Sequence, residues 1–163
     1  MRAADRLEQS AWRGDAIIRA AEQDDLDFLD RHDPLLRREI LAEKVSRGEV
    51  YVAQEAGQCV ALARFNYLCD LDPFLTLILV LEAHRRQGIG TRLMRHWEGE
   101  MRRRGHRVLL TSTEVDESAQ QFYRKRGFAD SGALLFPGQA AAELFLVKPL
   151  RPAAGGVGPR QKS

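Results

Sequence analysis

The stretch Phe74-Leu-Thr-Leu-Ile-Leu-Val-Leu-Glu-Ala-His-Arg-Arg-Gln-Gly-Ile-Gly-Thr91 decides how this chain folds. Its first half, Phe74 to Leu81, is a nearly continuous apolar run broken only by Thr76, which is how a strand reads when both faces of its sheet are covered. Its second half ends on Gly88 and Gly90. From there Ile89, Leu93, Trp97 and Met101 recur at four-residue spacing until Gly105, the pattern of an amphipathic helix with a glycine stop. Val108-Leu-Leu-Thr111 supplies a further short strand. Strand, helix and strand in this order form a crossover unit, and its two strands run parallel.

Upstream, Ala16 to Ala20 reads as a short strand, and Asp24 or Asp25 caps a helix carrying Leu26, Phe28 and Leu29. Asp33-Pro34 breaks the chain before a second helix, from Leu35 to about Ser46, with Leu36, Ile40 and Leu41 on one side. Val50 to Gln54 and Cys59 to Tyr67, joined around Glu55-Ala-Gly57, read as a hairpin. Downstream, Asp116 caps a helix running through Phe122 and Tyr123 to Arg126, closed by Gly127. Leu134 to Phe136, a Pro137-Gly138 turn and Glu143 to Val147 read as a terminal hairpin. Residues 1–14 form a polar lead-in, residues 15–150 one domain, and residues 151–163, rich in glycine and proline, a disordered tail.

With 163 residues, 44% of them hydrophobic and 29% charged, the chain can bury a core without disulfide or metal staples, which excludes disordered and fibrous classes. Cys59 and Cys69 are too far apart for a CxxC motif and stand in no cluster of His or Cys, so neither a disulfide nor a metal site is expected. No apolar run approaches the roughly 20 residues needed to cross a bilayer, and Met1 to Ser10 lacks the apolar stretch of a signal peptide. The expectation is a soluble cytoplasmic protein with no membrane partner.

The net charge of +2 hides an uneven distribution. Residues 1–34 carry nine carboxylates against five arginines, whereas Arg85 to Arg107 contains eight arginines against Glu98 and Glu100 alone. A positive segment around a glycine pair points to an anionic ligand. Nucleic acid is disfavoured, because aromatic residues are not interleaved with the arginines and the total charge is near zero. Arg85-Arg-Gln-Gly-Ile-Gly-Thr91 sits where a strand enters a helix, so glycine backbone and first-turn amides can hold a pyrophosphate. It is not a P-loop, since no Lys-Ser or Lys-Thr follows, and it lacks the third glycine of a dinucleotide fingerprint. The same glycines also serve a plain tight turn. Tyr123 is the obvious proton donor near the parallel pair, or a packing residue with its hydroxyl satisfied.

Taken together, the two segments resemble the GNAT superfamily of acyl-CoA-dependent N-acetyltransferases. The family's Q/R-x-x-G-x-G/A motif is matched by Arg85, Gly88 and Gly90, and its A-x-x-F-Y-x-x-x-G-F signature by Ala119, Phe122, Tyr123, Gly127 and Phe128. Asp116 stands where an Asn is common. The resemblance covers residues 15 to 150. It implies an α/β fold with a largely antiparallel mixed sheet of six to seven strands, a splayed parallel pair in its middle and about four helices. It also implies acetyl-CoA as co-substrate, with the backbone around Val80 and Leu81 pairing with the pantetheine arm. Arg85 would add charge, and the amides of Arg86, Gln87, Gly88, Ile89, Gly90 and Thr91 would take the pyrophosphate, with Asp116 and Ser118 completing the coenzyme contacts. Tyr123 looks like the general acid. Where many members place a Glu on the fourth strand this chain has Phe74, so Asp72, Glu114 or a chain of water molecules is left for the base. The implied reaction is direct attack of a primary amine, with a small molecule as acceptor and a homodimer as a possible assembly. A non-catalytic acyl-CoA sensor or scaffold of the same fold is the alternative.

Overall fold

The structure is a computed structural model that describes residues 16–114 and 117–150. Among the described residues seven strands form one sheet: β1 (Ile17–Ala20), β2 (Val50–Glu55), β3 (Gln58–Leu68), β4 (Asp72–Val80), β5 (Val108–Glu114), β6 (Ala129–Leu134) and β7 (Glu143–Pro149). Their order is β1-β2-β3-β4-β5-β7-β6. Every neighbouring pair is antiparallel except β4 and β5. Among the described residues there are four α-helices, α1 (Leu26–His32), α2 (Arg38–Ser46), α3 (Ile89–Arg103) and α4 (Glu117–Arg124). The expected sheet, its single parallel pair and the helix count are all found.

Strand periodicity distributes side chains between two cores. On β2, Tyr51 and Ala53 join Phe65, Leu75 and the α3 residues Ile89, Leu93, Trp97 and Met101 on one face. Val50 and Val52 join Leu62 and the α1 and α2 residues Leu29, Leu41 and Val45 on the other. The α3 seam read from the sequence is buried throughout, each of its four residues being 3% exposed or less. Full burial of such side chains is worth about 1.5–3 kcal/mol each, which is why a helix with so many arginines still docks. Covered on both faces, β4 must be apolar along most of its length.

Boundaries differ from the sequence reading where local chemistry overrides periodicity. Helix α2 starts at Arg38, not Leu35, because Asp33 Oδ1 accepts the Leu35 N–H at 3.1 Å and holds the chain in a turn. The last hairpin begins earlier than expected, with β6 at Ala129, while Leu135 and Phe136 are exposed in its loop. All six β6 residues are exposed, so the strand shows no alternation to read and exists through its pairing with β7. The readings of residues 1–14 and 151–163 lie outside the described residues. Among the described residues no helix is long and apolar enough to cross a membrane.

Candidate active site

The parallel pair is short. Strands β4 and β5 are in register only at Phe74 with Leu110 and Leu75 with Thr111. Immediately beyond, Arg64 of β3 pairs with Leu77 and Phe65 with Leu75, so Thr76 is an extra residue bulged out of β4. A bulge bends its strand and increases local twist, and here it turns β4 away from β5 while β3 follows it. The Thr76 hydroxyl donates to Arg64 O at 2.9 Å and accepts from Arg64 Nη1 at 2.9 Å. The Arg64 guanidinium is anchored in turn by Asp33, Nε to Oδ2 at 2.6 Å, in a pair whose side chains are 5% and 0% exposed.

The diverging half of β4 has one unpaired edge. Leu81 N–H donates to Val60 O at 2.9 Å, so by strand alternation the backbone groups of Ile78 and Val80 point away from β3 and into the gap. Arg85 Nε already reaches Val80 O at 3.0 Å. A cleft of about 500 Å3 opens there, lined by Ile78, Val80, Arg85, Gly90, Phe122 and Tyr123 among others. An open strand edge is a template for any extended ligand carrying amide groups.

At the end of β4 a short 3-10 turn, Glu82–His84, leads into Gly88, which is the N-cap of α3. Arg86 and Gly88 both lie in the left-handed region, with φ of 60° and 81°. This turns successive backbone N–H groups inward, a concavity that suits anions, and it adds to the free amides of the first helical turn. A second recess of about 240 Å3 lies there, between Arg85, Arg86, Gly88, Gly90, Thr91 and Arg126. The Gln87 side chain is engaged with Ala83 O at 3.3 Å and the His84 ring with Glu55 at 2.7 Å. A Cβ on Gly88 would meet nothing within 4 Å, so the glycine is there for its φ and not for space. Gly88→Ala is therefore expected to cost about 1–2 kcal/mol through backbone strain alone, read as a lowered midpoint in urea denaturation. An unchanged midpoint would mean that the loop relaxes freely.

Tyr123, 7% exposed, reaches the cleft from α4. The Thr111 side chain stands close enough to act on its charge, and Thr111 itself donates to Leu75 O at 3.0 Å. The phenol thus sits at the last register pair before the strands part. Burial raises its pKa above the ordinary value, with Thr111 and the Arg126 charge opposing, so it holds its proton at neutral pH. Phe122 lines both recesses, and Tyr123 is at once core and cleft.

Neither of the two carboxylates considered as bases lines the cleft. Asp72 opens β4 at the end remote from the cleft, close enough to His106 to act on its charge. Glu114 ends β5 three residues past the fork, on the side where the strands part, but it is exposed, sits opposite Glu143 and lines neither recess. Phe74 packs on Phe145 with ring centroids 5.8 Å apart. Among the described residues no carboxylate lines either recess, and no group of three or more His, Cys, Asp or Glu could hold a metal ion. Asp116 lies outside the described residues, and of Ser118 only the helical backbone is described. The sequence reading missed Arg64, Asp33, Thr111 and Arg126. An arginine inside the apolar run Val60-Ala-Leu-Ala-Arg-Phe65 was a signal, since a buried charge demands a partner.

A splayed parallel pair with an anion cradle at one end and a buried phenol at its fork is the site to be explained. Residues 46–130, more than half of the chain, match the sequence profile of the acetyltransferase (GNAT) domain, and the chain belongs to that family. Its fold is similar to that of Ard1 from Thermoplasma volcanium, at 18% identity and a TM-score of 0.75, covering 83% of this chain and 98% of that one. The ribosomal-protein-S18-alanine N-acetyltransferase from Escherichia coli gives 20% identity and 0.70 over 85% and 96% of the two chains. A GNAT-family acetyltransferase from Bacillus cereus ATCC 10987 gives 24% and 0.68 over 85% and 100%. No curated protein matches in sequence.

Proposed function

We propose that this protein is an N-acetyltransferase that moves the acetyl group of acetyl-CoA to a primary amine by direct attack, with a small molecule as acceptor. The observation that carries the reading is the cleft itself. The open edge of β4 at Ile78 and Val80 and the Tyr123 side chain face one space, which is continuous with the anion cradle through Val80, Arg85 and Gly90. The acceptor nitrogen adds to the thioester carbonyl, and an open-edge amide of β4 takes the developing oxyanion. The C–S bond then breaks, and Tyr123 O–H gives its proton to the departing thiolate. The proton that the amine loses returns to the phenolate through water, so that amide and thiol are the products. The acceptor reacts as the free amine, and the alkaline rise of the rate should follow the pKa of the amine used rather than a fixed group on the protein.

Calorimetric titration with acetyl-CoA, on the unaltered protein and on Arg86→Ala and Gly88→Trp, tests the coenzyme half. Binding that Gly88→Trp abolishes is expected, and no binding by the unaltered protein removes the proposal. Thiol release is then followed over a panel of small amines and of peptides with free amino termini. Release with peptides alone would move the acceptor to protein amino groups. Tight binding without release from any amine would favour a sensor.

A further inference from the structure

Between the end of β4 and Gly88 the cradle loop bonds almost wholly to itself. His84 N–H donates to Leu81 O at 2.9 Å, Arg85 N–H to Glu82 O at 3.2 Å, Arg85 Nε to Val80 O at 3.0 Å and Gln87 Nε2 to Ala83 O at 3.3 Å. Among the described residues, one hydrogen bond of residues 82–88 leaves the segment 80–92. It joins His84 Nδ1 to Glu55 Oε2 at 2.7 Å. An ionised carboxylate can only accept, so Nδ1 carries the proton and donates it.

Glu55 is a firm anchor and the loop is not. Glu55 is the last residue of β2, paired with Gln58 across the turn into β3. Ala56 and Gly57 in that turn have φ of 47° and 78°, as a tight hairpin turn matched to the strand twist requires. In the loop, Arg86 holds its left-handed φ of 60° without being a glycine. Such a conformation persists only where neighbouring structure fixes it. Packing does not replace the bond. His84 lines both the cradle recess and a separate groove of about 490 Å3, so its ring has room to turn once its partner is gone. Glu55 lines the groove and not the cradle, so its influence on a bound anion passes through His84.

We infer that Glu55 and His84 are positioning residues for coenzyme binding, their bond holding the cradle loop against the β2–β3 hairpin so that the backbone from Arg86 to Gly88 is in shape before a pyrophosphate arrives. The inference rests on the coenzyme reading above. A loop ordered in advance spares the ordering cost at the moment of binding, so the pair acts on affinity. The sign is diagnostic. Removing a carboxylate near an anion site would by charge alone strengthen binding, whereas loss of positioning weakens it.

Calorimetric titration with acetyl-CoA tests this on the unaltered protein, Glu55→Ala, His84→Ala, the Glu55→Ala, His84→Ala double variant, Glu55→Gln and His84→Asn. Each alanine variant is expected to raise the Kd by about 3- to 10-fold, the worth of one hydrogen bond, and the double variant no further than either alone. Glu55→Gln keeps an acceptor and His84→Asn keeps a donor near the place of Nδ1, so both should bind nearly as well as the unaltered protein. The urea midpoint should hardly move in any of them, because the paired side chains are 30% and 23% exposed. A Kd unchanged or lowered in Glu55→Ala overturns the proposal. A loss confined to the His84 variants also overturns it and makes His84 a direct coenzyme contact. Additive losses in the double variant, or conservative variants no better than alanine, overturn it equally. No binding by the unaltered protein overturns the coenzyme reading and this proposal with it, whereas binding indifferent to all five variants overturns this proposal alone.

Discussion

Tyr123→Phe is expected to lower kcat by about 100-fold or more, the usual worth of a positioned general acid, while the Kd for acetyl-CoA changes by no more than about twofold. The split follows from geometry. The ring fills the same space in the core beside Phe122 and Phe128, and Thr111 keeps its bond to Leu75 O, so only the proton donor is lost. Stopped-flow thiol release and calorimetry read the two quantities separately, and equal turnover by both proteins would remove Tyr123 from the reaction. The direction of the pKa shift adds a pH dependence. Burial raises the phenol above its ordinary 10.0, so the acid form persists through neutrality and its loss limits the rate only above that value. Folding stability falls over the same alkaline range, because the unfolded tyrosine releases its proton first.

Asp33→Ala is expected to destabilise the protein by about 3–5 kcal/mol, because it strands the Arg64 guanidinium in a site only 5% exposed. For a chain of this size that is a fall in Tm on the order of 10 °C. A change within about 1 kcal/mol would show that Arg64 finds water or another partner. Since the same arginine grips the Thr76 bulge, the effect reaches catalysis, and Thr76→Val separates the two. It keeps the bulk of the side chain but removes the hydroxyl that ties β4 to Arg64. Stability should fall by about 1–3 kcal/mol, less than in Asp33→Ala because the ion pair remains, while kcat falls by up to about 100-fold if the open edge of β4 shifts relative to Tyr123 by an ångström. Unchanged kcat in Thr76→Val would mean that backbone pairing alone holds the fork open.

How much of this was legible in the sequence depends on whether a feature is local. The apolar run of β4, the glycine pair and the four-residue seam of α3 are short-range patterns, and each imposes its own geometry. Apolar continuity requires cover on both faces, the Gly88 turn requires a left-handed φ, and the seam requires a core beneath it. With the Phe-Tyr signature of α4 these were enough for the family and the parallel pair. Edge strand β6 was misplaced because its exposed residues carry no periodic signal and its pairing is supplied by β7.

The working geometry of the site belongs to the tertiary structure. Thr76 reads only as an interruption in an apolar run. It becomes a bulge because β3 pairs on both sides of it and because Arg64, itself fixed by Asp33 from 31 residues away, holds its hydroxyl. Thr111 reads as an ordinary strand residue until folding brings it near enough to Tyr123 to act on its charge. Arg126 reads as helix-end charge until folding sets it against Thr91 and Phe122. The sequence by itself determined most of the strands and helices, though not the place of β6 or the start of α2, and through them the family, because periodicity and glycine conformation act over a few residues. Where β4 leaves β5, which hydroxyl stands at the fork and what ties the cradle loop to the sheet were decided by contacts between segments far apart in the chain, which exist only once the two cores have packed.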